Sequence, residues 1–226
     1  MANKALALAD AALEVPAHIN LDQGLGNENV GAEIQIPRIK MMQKMSSEID
    51  PESPMYVDGA KNGNFVNDAT GEVYGDEMYV LNVNFTASYK IWKDRQKGGG
   101  FFGEFATEAE ARQRIADLVH EGQGAEEDFN PEYTHVHLLI VKDPKTGELS
   151  APALTDLTRS KMRASKAWNT EIQMKGGDRF ACLWKMISFK ETYEGNTFAN
   201  LKVENVGWAQ KDDYDYAMEV FKAHQK

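Results

Sequence analysis

The sequence predicts an α+β domain built on an antiparallel, OB-like β-barrel, with two or three helices and an extended N-terminal arm. Three observations carry this reading. One long segment alternates strictly between apolar and polar residues, three pairs of strand-like segments flank turn residues, and helical periodicity is confined to a few stretches after residue 105. Nothing has the strand–helix alternation of a doubly wound sheet.

Residues 1–31 read as a flexible arm. The stretch "ALALADAALEV" has the composition of a short alanine-rich helix, but isolated helices of that length are marginal in water, and "NLDQGLGNENVG" offers nothing to bury. Four cations and nine anions make residues 1–60 acidic. A single domain is expected over residues 32–226. It opens with "AEIQIPRIKMMQKMS", a short strand, a proline and a second apolar segment, and then "NFVN" and "GEVYG" flank "DATG" as a hairpin.

The clearest strand is "EMYVLNVNFTASYKIW". Tyr79, Leu81, Val83, Phe85, Ala87, Tyr89 and Ile91 fall on one face, and Asn82, Asn84, Thr86, Ser88, Lys90 and Trp92 on the other. It is far longer than a common strand of about 5 to 6 residues, which predicts a strand bending round a barrel.

"FATEAEARQRIADLVHEG" reads as a helix opened by a capping box, Thr107 with Glu110. Ala111, Ile115, Leu118 and Val119 form its buried stripe, and Gly122 stops it. "YTHVHLLIVK" and "LSAPAL" form a second hairpin around "DPKTGE". "TDLTRSKMRASKAWNTEIQM" reads as a helix with Leu157, Ala164, Trp168 and Ile172 along one side and Arg159, Arg163 and Lys166 along another. "FACLWKMISFK" and "TFANLKVENVGW" make a third hairpin, and "DDYDYAMEVFKAHQ" closes as an amphipathic helix with its acids at the N-terminal, positive end of the dipole.

A net charge of −10 with 27% charged residues repels phosphate, so any nucleic-acid contact must come from local basic patches. Cys182 is the one cysteine, in an apolar run; with no disulfide framework, a buried thiol and a reducing compartment are expected. No apolar run approaches the roughly 20 residues of a membrane helix, and the first 20 residues lack the pattern of a secretory signal, so the expected location is the cytoplasm.

Catalytic signatures are weak. Gly98, Gly100 and Gly103 match a dinucleotide-loop spacing, but without βαβ context or a Gly-Lys-Ser/Thr ending. His135 and His137 are placed to share a face, yet no cysteine or acid stands at a ligand spacing, which favours packing over metal. The acids at 212–215 are explained by the start of a helix. No nucleophile elbow is present, and the expectation is a non-enzyme with no cofactor and no metal.

Two basic islands interrupt the acidic chain. Across residues 88–103, Lys90, Lys93, Arg95 and Lys97 face only Asp94, a net of +3, interleaved with Trp92, Phe101 and Phe102 on a loop whose glycine triplet keeps it mobile. Across 158–175, Arg159, Lys161, Arg163, Lys166 and Lys175 face only Glu171, a net of +4. Phosphates attract cations, and unpaired bases stack on rings at about 1–3 kcal/mol per base, so a single-strand binder needs both along one groove. Phe198 and Lys202 share the polar face of a later strand and join the candidate set. Trp168 has the spacing of a core residue.

The segments "IPRIKMMQKMS", "NGNFVNDATGEVYG", the strand ending "YKIW", and "LTRSKMRASKAWNTEI" followed by a hairpin resemble tailed-phage single-stranded DNA-binding, OB-fold replication proteins, over roughly residues 32–208. The resemblance implies coating of DNA strands during phage replication or recombination in the bacterial host cytoplasm, with phage replication or recombination proteins as further partners. The chain departs from that pattern in ending on "FKAHQK" rather than an acidic tail, a role for which the acidic leader is a candidate. Two other readings compete: a phage structural or host-takeover protein that docks on other proteins, and a metal-dependent nuclease.

Overall fold

The strand β4, Glu77–Lys93, is the axis of the fold in the computed structural model, which describes residues 35–225. The arm expected over 1–31 lies outside the described residues. Around β4 stand β1 (Ile39–Met41), β2 (Phe65–Asn67), β3 (Val73–Gly75), β5 (Phe101–Phe105), β6 (Phe129–Lys142), β7 (Ala153–Leu157), β8 (Cys182–Tyr193) and β9 (Asn196–Trp208). Among the described residues, three α-helices complete it: α1 (Glu108–His120), α2 (Met162–Lys175) and α3 (Lys211–Ala223). The class is α+β as expected, with the pairing in both sheets antiparallel: β1-β2-β3, and a six-stranded sheet ordered β7-β6-β4-β8-β9, with β5 also on β4.

The sheets are not closed into a barrel. The length of β4 has another cause. β6 follows one edge from Tyr79 to Lys93, while the other edge is divided: β8 takes Glu77–Leu81, and β5 takes Tyr89, Lys90 and Trp92. One strand thus serves three neighbours. The segment around β1 reaches both margins of the large sheet without pairing along them. At β7, Arg38 forms a parallel bridge with Leu154, whose N–H donates to Pro37 O at 2.8 Å. At β9, the Gln43 amide donates Nε2–H to Ala199 O at 3.0 Å and accepts Ala199 N–H on Oε1 at 3.1 Å.

A bulge at Val83 breaks the alternation that the sequence shows. Asn82 pairs with Leu139 and Asn84 with Leu138, so Val83 is supernumerary and the facing of β4 changes phase there. Before the bulge, Met78 and Val80 pack with Leu139, Val141, Trp168 and Ile172 under α2; after it, Ile91 packs with Phe129, Ala111, Ile115 and Leu118 under α1. Leu81 and Val83 face the opposite side with Leu138, Ile140, Ala217 and Val220 under α3. Both faces of the sheet are therefore covered, α1 and α2 on one and α3 on the other.

Local chemistry fixes the remaining elements. The capping box holds: Glu110 N–H donates to Thr107 Oγ1 at 3.3 Å and Thr107 N–H to Glu110 Oε2 at 3.0 Å. Val119, expected in the stripe, is exposed. β8 turns into β9 through Glu194 and Gly195, both at positive φ (48° and 79°), the two-residue turn that suits a twisted hairpin. The helix expected over 155–174 starts later. Ala153, Thr155 and Leu157 alternate inward as β7, Arg159 takes a left-handed φ of 50°, and α2 begins only at Met162 after a short 3₁₀ turn. The partner strand expected at 149–154 is displaced accordingly, since Pro152 has no N–H to give a ladder. Asp213 at the start of α3 pairs with Lys142 at 2.5 Å, and Cys182 is a buried free thiol. Among the described residues, no helix is long and apolar enough to cross a membrane.

Candidate nucleic-acid interface

The β4–β5 connection is a built turn. Asp94 Oδ1 accepts Gln96 N–H at 2.8 Å, Gly99 N–H donates to Asp94 O at 2.9 Å, and Lys93 N–H to Gly100 O at 3.0 Å. Gly98, Gly99 and Gly100 lie at φ of 107°, 64° and 119°, a run of left-handed conformations that side chains resist. Conformation, rather than looseness, accounts for the triplet.

Strand alternation divides the expected aromatic trio. Trp92 and Phe101 are cross-strand neighbours with ring centroids 5.1 Å apart, 43% and 52% exposed, on the α3 side of the sheet. Phe102 points the other way, edge-on to Phe129 at 5.3 Å in the α1 core. Lys93 donates to Gln123 O and lies over the Phe129 ring, Lys97 stands 3.8 Å from Asp128, and Arg95 is exposed with no ion-pair partner among the described residues.

Lys90 is not a surface cation, which corrects its place among the phosphate contacts. It is 3% exposed, with Nζ 2.5 Å from Asp156 Oδ2 and 3.6 Å from Glu104 Oε2. Arg38 closes the cluster at 2.6 Å from Asp156 and 3.9 Å from Glu104, and Ser88 Oγ–H donates to Glu104 at 2.5 Å. Two cations and two anions cancel, and they tie β4, β5, β7 and the segment before β1 together.

The second island comes near the first around Glu132. Arg159 meets Glu132 at 2.6 Å, and Glu132 stands two positions along β6 from Asn130, the cross-strand neighbour of Trp92. Arg163 instead meets Glu191 on β8 at 3.3 Å. Lys161 is half-buried, and burial pushes its ammonium down, partly offset by Glu132. Lys166 is exposed, Phe198 is half-buried on β9 opposite Glu191, and Lys202 pairs with Glu204 at 2.6 Å. The surface is thus a row of ion pairs beside a ring pair. Exposed pairs of this kind contribute about 0–1 kcal/mol each, so a phosphate competes with the carboxylate on near-equal terms. Glu132 and Glu191 lie far from the arginines in sequence, and no local pattern announces them.

Sequence reasoning also missed a buried polar chain. Arg179 Nε–H, only a donor, meets Asn82 Oδ1 at 2.9 Å, which leaves Asn82 Nδ2 to donate to His137 Nδ1 at 2.9 Å. The proton of His137 is therefore on Nε2, donating to Ser165 Oγ at 2.8 Å, and Ser165 donates onward to His135 Nδ1 at 2.7 Å. His137 stacks on Trp168 at 4.8 Å, and burial, reinforced by the Arg179 charge, pushes it down to about 3. Burial alone pushes Arg179 down to about 10. Ser165 and His137 have no exposed surface, so the pair is a core network that no substrate reaches. The two histidines do share a face, as their spacing predicts. Among the described residues, no group of three or more His, Cys, Asp or Glu is placed to hold a metal ion.

The family model described as Pam3 phage gp34-like protein matches residues 7–226, and the chain belongs to that family of bacteriophage proteins. No curated protein and no solved structure shows significant similarity to it.

Proposed function

We propose that this member of the Pam3 phage gp34-like family is a non-catalytic single-stranded DNA-binding protein acting in phage replication or recombination in the host cytoplasm. One observation carries the reading: Trp92 and Phe101 form an exposed ring pair on a hairpin whose turn presents Arg95, which has no ion-pair partner among the described residues. Bases stack on the pair, and Arg95, Lys93, Lys97 and Arg159 hold the adjoining phosphates. Lys161, Arg163, Lys166, Phe198 and Lys202 extend the path toward the β8–β9 hairpin. The reading also takes the large sheet as an opened OB-like barrel; the contacts of Arg38 and Gln43 with its two margins support this.

The test is a fluorescence titration with oligo-dT of the wild type, Trp92→Ala and Phe101→Ala. Each variant is expected to lose about 5- to 150-fold in affinity, the equivalent of about 1–3 kcal/mol of stacking. Wild-type affinity in both overturns the proposal.

A second reading, docking on a phage or host protein, is favoured by the same exposed ring pair, since aromatic residues are also enriched at protein interfaces. Added salt separates the two: strand binding weakens steeply, whereas an apolar protein contact does not.

A further inference from the structure

We infer that two copies of this chain associate through the free edge of β9, as an antiparallel two-fold pair centred on Val203. Among the described residues, β9 is the last strand of the large sheet and pairs on one side only, with β8. The Gln43 amide holds both backbone groups of Ala199, so Ala199 directs its N–H and C=O away from β8. Alternation turns those of Leu201, Val203 and Asn205 the same way. Leu201 N–H is satisfied by Asn200 Oδ1 at 2.9 Å, but the edge-facing groups of Val203 and Asn205 meet no partner among the described residues. The side-chain Nδ2 of Asn205 is likewise buried without a partner.

Charge selects the occupant and the register. Lys202 and Glu204 flank Val203, both exposed. A second copy centred on Val203 sets Lys202 opposite Glu204 of that copy, and the symmetry makes the pair twice. Within one chain Lys185 is already the cross-strand neighbour of Glu204 and lies 2.5 Å from Glu77. The row Glu77, Lys185, Glu204 therefore alternates in sign and continues with Lys202 of the second copy. Centring on Lys202 or Glu204 instead opposes like charges. The usable ladder spans only Leu201 to Asn205, so the association is weak and depends on concentration.

The test is sedimentation of the full chain over a wide concentration range, with melting curves to check folding. The wild type is expected to approach dimer mass at high concentration. Lys202→Glu places four acids around the two-fold axis and weakens association about tenfold. Adding Glu204→Lys to that variant exchanges the two charges and restores it. A wild type that stays monomeric throughout overturns the inference. So does a dimer that Lys202→Glu leaves unchanged, or one that the exchanged pair does not recover.

Discussion

Lys90 Nζ lies 2.5 Å from Asp156 Oδ2, an ammonium held inside the sheet where a phosphate ligand was expected on its surface. Its neighbour Trp92, two residues on and on the same side of the strand, is exposed. The same local pattern thus yields a structural ion pair at one position and a candidate binding group at the next.

Lys90→Ala leaves Asp156 and Glu104 with Arg38 alone. Breaking a fully buried pair costs about 3–5 kcal/mol; because the acids here are partly exposed, a loss of about 2 kcal/mol is expected in urea unfolding. Oligo-dT affinity of the folded variant should stay at the wild-type value. A selective loss of affinity with unchanged stability would return Lys90 to the binding site.

The two faces of the β4–β5 hairpin should separate by phenotype. Phe102→Ala removes a half-buried ring from the α1 core and is expected to cost about 2 kcal/mol with little change in DNA affinity. Trp92→Ala should cost less than about 0.5 kcal/mol, since exposed positions tolerate truncation. Paired unfolding and titration experiments read both.

If Glu132 competes with phosphate for Arg159, neutralising it frees a cation beside the ring pair. Glu132→Gln is then expected to tighten oligo-dT binding severalfold and to steepen the log–log salt slope by about one. A flat response places Arg159 outside the path of the strand.

Acid should weaken the fold through His137. An unfolded imidazole protonates near 6.5, whereas in the fold it resists to about 3. Between those values the unfolded chain binds the extra proton, so stability falls as pH drops from about 6.5 toward 3, by on the order of 4 kcal/mol for this group. His135, also pushed down by burial, acts in the same direction. Nitrogen NMR should show His137 neutral, protonated on Nε2, down to at least pH 5; titration near 6.5 would contradict the buried chain.

Much of the fold is legible in the sequence because it rests on neighbours. The capping box at Thr107, the Glu194–Gly195 turn and the inward periodicity of Trp168 and Ile172 each need only residues a few positions apart. What escaped reading depends on distance. Asn82 is buried because Arg179, 97 residues away, accepts it into a network, and Lys90 because Asp156, 66 residues away, neutralises it. The bulge at Val83 is hidden by the same cause: with both faces of β4 covered, a change of phase leaves the apolar pattern intact. The ring pair was visible as exposed chemistry, but its separation from Phe102 required the pairing with β5.

The amide of Gln43 has a polarity that its acid counterpart lacks. In Gln43→Glu, or after slow deamidation of the natural residue, a carboxylate oxygen would confront the carbonyl of Ala199 where a donor now stands. The margin of the sheet would then lose its plug at one atom's substitution, and an ageing sample would lengthen its own sticky border. Freshness of the preparation therefore belongs among the variables of any assembly measurement on this protein.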